Sequence, residues 1–135
     1  MFGRNRKKSI AIVRRYIDAL NRHDAGAMIH MHHPEFSFID ARGDAIEGKA
    51  RCAKAVHALM DMDEDFGLEI KDATVRGGQV LLRGRTRASD PRLEHDMLWA
   101  VRVENGLLKD WQSFGDRDAN PMAHLLLHRT LQPAG

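Results

Sequence analysis

A chain of 135 residues, 43% of them hydrophobic, is long enough for one domain with a real core and too short for two. Its 21 basic and 19 acidic side chains leave a formal net charge of +2, without the dense basic face that a general nucleic-acid binder needs. The single cysteine, Cys52, excludes an intrachain disulfide and a cysteine-based zinc site, which fits a reducing cytoplasm.

Residues 1–8 are polar and basic and read as a flexible tail ahead of a single domain over residues 9–132. They do not read as a signal peptide, because Arg14 and Arg15 break the apolar run that follows. No apolar stretch approaches membrane-spanning length, so no membrane partner is expected.

A first helix is predicted over residues 9–21, with Ser9 as its cap and Ile10, Val13, Ile17 and Leu20 as its buried stripe. Tyr16 lies beside that stripe, either as a core residue or with its hydroxyl in a pocket. Asp24 caps a shorter helix through about His32, and Pro34 ends it. In the strand that follows, Phe36, Phe38 and Asp40 fall on one face, since side chains alternate with period two. Asp40 is thus a carboxylate among rings, a site character, or else a turn cap ahead of Gly43. A short return strand, a helix over residues 49–60 and an acidic loop at residues 61–65 come next, and the rest is β.

Asn105-Gly106 is a strong hairpin signal. A two-residue loop sets Glu104 opposite Leu107, and an uninterrupted ladder then sets Val101 opposite Asp110, Trp99 opposite Gln112 and Met97 opposite Phe114. These six share one face, with His95 further along it. Leu98, Ala100 and Trp111 fall on the other, an apolar patch expected to meet a second copy of the chain in a homodimer. His30, His32 and His33 cluster in sequence without a metal-ligand frame, so no metal or cofactor is expected.

The order of these elements resembles the nuclear-transport-factor-2-like α+β fold, three helices packed on a curved mixed or antiparallel sheet around a cone-shaped pocket. The residues that carry the resemblance are Tyr16-Ile-Asp-Ala-Leu-Asn21, Asp24, Pro34 before Phe36-Ser-Phe-Ile-Asp40, Gly43, Gly48, and Asn105-Gly106 followed by Trp111 and Asp116. The nearest branches are the SnoaL-like polyketide cyclases and the ketosteroid-isomerase-like proteins. The resemblance implies that Asp40 stands at the position of the isomerase's general base and Tyr16 at that of its oxyanion-hole tyrosine. Asp116 resembles an acid/base aspartate of the cyclases. The isomerase's second oxyanion donor, an aspartate, falls here on Trp99, a departure that argues against steroid isomerisation.

The expected chemistry is enolisation of a small apolar carbonyl or polyketide-like ligand without a cofactor, giving isomerisation, cyclisation or dehydration. Asp40 is the candidate base, with Tyr16, His95 and Asp116 as further acid/base or donor groups. Phe36, Phe38, Met97, Trp99, Asp110, Gln112 and Phe114 are the candidate lining. The alternative is a non-catalytic ligand-binding or dimerisation module on the same scaffold.

Overall fold

The structure, a computed structural model, describes residues 2–115. Helix α1 (Phe2–Asn21) buries Ile12, Val13, Tyr16, Ile17 and Leu20 along one stripe. It begins earlier than expected. The basic segment expected as a tail is helical, because Arg and Lys are good helix formers and no proline interrupts the run into Ser9. Ser9 consequently lies inside the helix and does not cap it. Asp24 does cap α2 (Ala25–His30), its Oδ1 accepting the Ala27 N–H at 3.0 Å.

Strand β1 (His32–Ile39) starts two residues ahead of Pro34. Its pairing is irregular between His32 and Ser37, which accommodates a proline that has no N–H to offer a ladder. β2 (Ala45–Glu47) returns antiparallel to β1, and α3 (Lys49–Met62) follows, burying Cys52, Ala55 and Val56. β3 (Gly67–Arg76), β4 (Gln79–Arg87), β5 (Asp96–Glu104) and β6 (Leu107–Gly115) form an antiparallel meander. β6 then lies parallel to β1, giving one six-stranded mixed sheet in the order β2-β1-β6-β5-β4-β3. α1 packs on β3, β4 and β5, α3 on β1 and β2, and α2 against both helices. At Gly84 an added Cβ would meet the Glu69 carbonyl oxygen at 2.0 Å, so the close approach of β4 to the bulged β3 requires glycine.

The β5–β6 hairpin turns on Asn105 and Gly106, both at positive φ, and Glu104 pairs with Leu107 as expected. One residue later the register departs from expectation. Leu108 pairs with Val103 and Asp110 with Arg102, leaving Lys109 as an extra residue in a bulge. Every side chain beyond it changes face. Val101 now pairs with Trp111 and Trp99 with Ser113, so Trp111 and Ser113 join the inner face. Asp110, Gln112 and Phe114, expected as lining, turn to the outer face with Arg102, Ala100 and Leu98. Trp111 likewise leaves the patch expected for a partner subunit and is buried.

Magnitudes explain the bulge. A tryptophan buries about 150–250 Å², worth roughly 4–6 kcal/mol at 25 cal/mol per Å². A disrupted ladder hydrogen bond costs only about 1 kcal/mol. The bulged Lys109 also reaches Glu35 on β1, Nζ to Oε2 at 2.5 Å.

Candidate functional site

Between the inner sheet face and the helices lies a cavity of about 110 Å³. Six rings wall it: Tyr16 from α1, Phe36 and Phe38 from β1, Phe66, Trp99 from β5 and Trp111 from β6. Leu20, Met28, Val56, Leu59 and Met97 add aliphatic surface. The polar groups in this wall, besides the Tyr16 hydroxyl, are Asp40, Thr86, His95 and Ser113. Of the sequence-predicted residues, Asp40, Tyr16, His95, Phe36, Phe38, Met97 and Trp99 all line this one space. Asp110, Gln112 and Phe114 do not, because the Lys109 bulge turns them outward. Asp116 lies outside the described residues. Trp111 and Ser113 are the lining residues that the expected register missed.

Asp40 is 2% exposed and sits where β1 ends. Its Oδ1 accepts the backbone N–H groups of Arg42 at 2.9 Å and Asp44 at 3.0 Å, closing the loop to β2. The two sequence readings of this residue therefore hold together: the same carboxyl group caps the turn and lines the cavity. The turn is what keeps the side chain in place.

Tyr16 is buried, and its hydroxyl lies 2.8 Å from Nε2 of His32. Burial, and then the nearby Cys52, raise its pKa above the ordinary phenol value, so the hydroxyl keeps its proton. His32 is fully buried, stacked on Phe36 with ring centroids 4.0 Å apart, and lies behind Tyr16 without lining the cavity. Desolvation, with the Lys49 charge second, lowers its pKa to about 4, so the imidazole is neutral. The sequence reading had placed His32 in the tail of the preceding helix. Continuing the period-two pattern of Phe36 and Phe38 back through Pro34 would have put it on their face.

His95 is held at the start of β5. Its Nε2 lies 2.8 Å from the Arg92 carbonyl oxygen, and since a carbonyl only accepts, Nε2 carries the proton. A neutral His95 therefore has its lone pair on Nδ1. Its backbone N–H donates to Thr86 Oγ1, while that hydroxyl donates to the Leu93 carbonyl at 2.5 Å. Cys52 also lines the cavity, but burial pushes its thiol up to about 11, and its S–H faces the Phe36 and Ile46 carbonyls. It is no thiolate nucleophile. Among the described residues no group of three or more His, Cys, Asp or Glu is placed to hold a metal ion.

The acidic loop is not simply solvated. Asp63 accepts backbone N–H groups from Asp65, Ser89 and Asp90 and ties the end of α3 to the loop after β4. No described helix is long and apolar enough to cross a membrane.

A family model described as a SnoaL-like domain matches residues 13–111. A search of curated proteins gives no match. Solved structures match over most of their length. An NTF2-like protein of unknown function from Cytophaga hutchinsonii is 17% identical, covering 80% of this chain and 89% of that one, with a TM-score of 0.68. A candidate ketosteroid isomerase from Kribbella flavida is 15% identical over 87% and 84% of the two chains, with a TM-score of 0.71. An LEH-like epoxide hydrolase from M. tuberculosis is 16% identical over 96% and 97%, with a TM-score of 0.69. At such identities the likeness is one of fold, and that fold is nuclear-transport-factor-2-like.

Proposed function

The chain belongs to the SnoaL-like domain family, and we propose that it binds a small, largely apolar carbonyl compound in its cavity and enolises it, with Asp40 as the general base. The observation that supports this reading is that Asp40 and Tyr16 line one space walled mainly by rings and aliphatic side chains. A carboxylate held by turn amides is positioned to remove a proton beside a carbonyl. A protonated phenol in the same apolar space is suited to receive the negative charge that develops on oxygen. His95, with its lone pair on Nδ1, is the second candidate for proton transfer.

Size sets the substrate class. About 110 Å³ is somewhat less than the roughly 150 Å³ of an apolar cavity that takes up benzene. A single-ring or branched-chain ketone is of the size that suits this volume, and a four-ring steroid far exceeds it. Trp99 in place of a second carboxylic donor points the same way.

A specific observation favours a second reading, a binding module without turnover: Asp40 Oδ1 is engaged by turn amides and the Tyr16 oxygen by His32. For a second copy of the chain, the large exposed apolar residues among those described are Leu98, 52% exposed, and Phe114, 44% exposed, which pair across β5 and β6. Buffer exchange into deuterium oxide with a small cyclic ketone separates the two functional readings. Deuterium uptake beside the carbonyl, catalysed by the native protein and lost in Asp40→Asn, supports the base. Ketone binding seen as a thermal shift with no catalysed uptake leaves the binding module, and no thermal shift with any ketone sinks both.

A further inference from the structure

The two protonations of the Tyr16–His32 pair are unequal: one leaves a buried N–H on His32 that nothing can reach, while the other leaves a bare acceptor there and frees the Tyr16 O–H, which a group in the cavity can match. The pair is joined at 2.8 Å through Nε2, and His32 Nδ1 is buried with no hydrogen-bond partner. If Tyr16 donated to Nε2, the neutral ring would carry its proton on Nδ1, a buried N–H with no acceptor. Buried N–H groups without an acceptor are rare, and acceptors lacking a donor are tolerated better. The ring is neutral, stacked on Phe36 and shut off from solvent, so the second proton that would satisfy both nitrogens is absent.

We propose that His32 is a positioning residue that donates its Nε2–H to the Tyr16 oxygen and so turns the tyrosine's own proton into the cavity, toward a carbonyl or ether oxygen of the ligand. Tyr16 has no other hydrogen-bond partner among the described residues, and the cavity is the space its ring borders. A hydroxyl that accepts one hydrogen bond also becomes a stronger donor in the next. The arrangement names the feature the ligand must carry, an oxygen acceptor at the Tyr16 end of an otherwise apolar body. It deepens the enolisation reading, on which its catalytic meaning rests, but the orientation of the pair stands independently of whether Asp40 removes a proton.

The test begins with the imidazole ¹⁵N spectrum of the native protein at neutral pH, with His32 assigned by its loss in His32→Gln. The expected result is the Nε2–H tautomer. An Nδ1–H tautomer overturns the proposal. Binding of cyclohexanone is then compared with that of methylenecyclohexane, which has the same shape and no oxygen. Preference for the ketone should fall roughly tenfold in Tyr16→Phe, the scale of one hydrogen bond. It should fall several-fold in His32→Phe and be largely retained in His32→Gln, whose amide still donates. A rise in ketone preference in His32→Phe also overturns the proposal, since it would mean that the histidine had been consuming the tyrosine's proton. Absence of deuterium uptake in every protein, with the expected tautomer and preference, removes the base reading alone.

Discussion

The side-chain amide of Asn21 pairs with Leu68 as another strand would, accepting its N–H at 2.8 Å and donating to its carbonyl at 3.0 Å. The last residue of α1 is thereby fixed to the start of β3, and Gly67 leaves room for it: a Cβ there would lie 2.9 Å from Asn21 Oδ1. Two partly buried hydrogen bonds are worth about 1–2 kcal/mol in sum. Asn21→Ala should lower the unfolding free energy by that amount, read as a lower urea midpoint with the denaturant slope unchanged.

Asp40 carries a structural and a proposed chemical duty, and two substitutions separate them. Asn retains an oxygen for the Arg42 and Asp44 N–H groups, so Asp40→Asn should unfold within a few tenths of a kcal/mol of the native protein while losing a hundredfold or more of the proposed ketone deuteration, the scale on which general bases act. Asp40→Ala loses the turn cap as well and should cost about 1 kcal/mol in addition. Equal turnover in Asn and native protein would end the case for the base.

His32 links stability to pH. Its folded pKa is lowered to about 4 from an ordinary 6.5, so between these values the unfolded chain takes up a proton that the folded one refuses. Its contribution is complete above about pH 6.5, declines as pH falls toward 4 and is exhausted below. The drop across that window is on the order of 3 kcal/mol. In His32→Phe this limb of the stability profile should flatten, measured by urea unfolding at stepped pH.

Asp63 acts in a lower window. The Ser89 and Asp90 amides, with Asp65 adding to them, hold its carboxyl below the usual carboxylate range. The stabilisation is full above the unfolded value of 3.8 and is lost as pH falls through the lower folded value. Asp63→Ala should reduce the thermal midpoint by several degrees at neutral pH and lose less than the native protein on acidification below pH 4. A midpoint unchanged at neutral pH would mean that the loop junction is held by other contacts.

The three helices, the meander and the turn at Asn105-Gly106 were legible because each rests on a local pattern: helical spacing along α1, alternation in the strands, residues that tolerate positive φ. The face of β6 was not legible from the turn alone. A bulge adds a backbone residue without requiring a distinctive side chain, and Lys109 gives no local hint of it. A nonlocal hint was present. The unbulged register buries Asp110 and Gln112 and exposes Trp111, whereas a shift of one residue brings both tryptophans inside, with ring centroids 6.2 Å apart. Asp40 was found by its company of rings, and its capping duty by Gly43. The Tyr16–His32 bond was out of reach because it joins a residue inside α1 to the first residue of β1, which no short-range pattern encodes.

The parallel pairing of β1 with β6 joins the first strand among the described residues to the last of them. Phe36, Phe38 and Asp40 are presented by β1, yet the neighbour that holds β1 in the sheet appears only after residue 107 has been synthesised. On the ribosome, the β1–β2 hairpin therefore waits with one edge unpaired, and α3 must shield its phenylalanines meanwhile. Closing so long a loop makes docking of β6 a natural slow step in folding. A chain released before β6 would possess every group proposed for proton transfer and no cavity in which to use them.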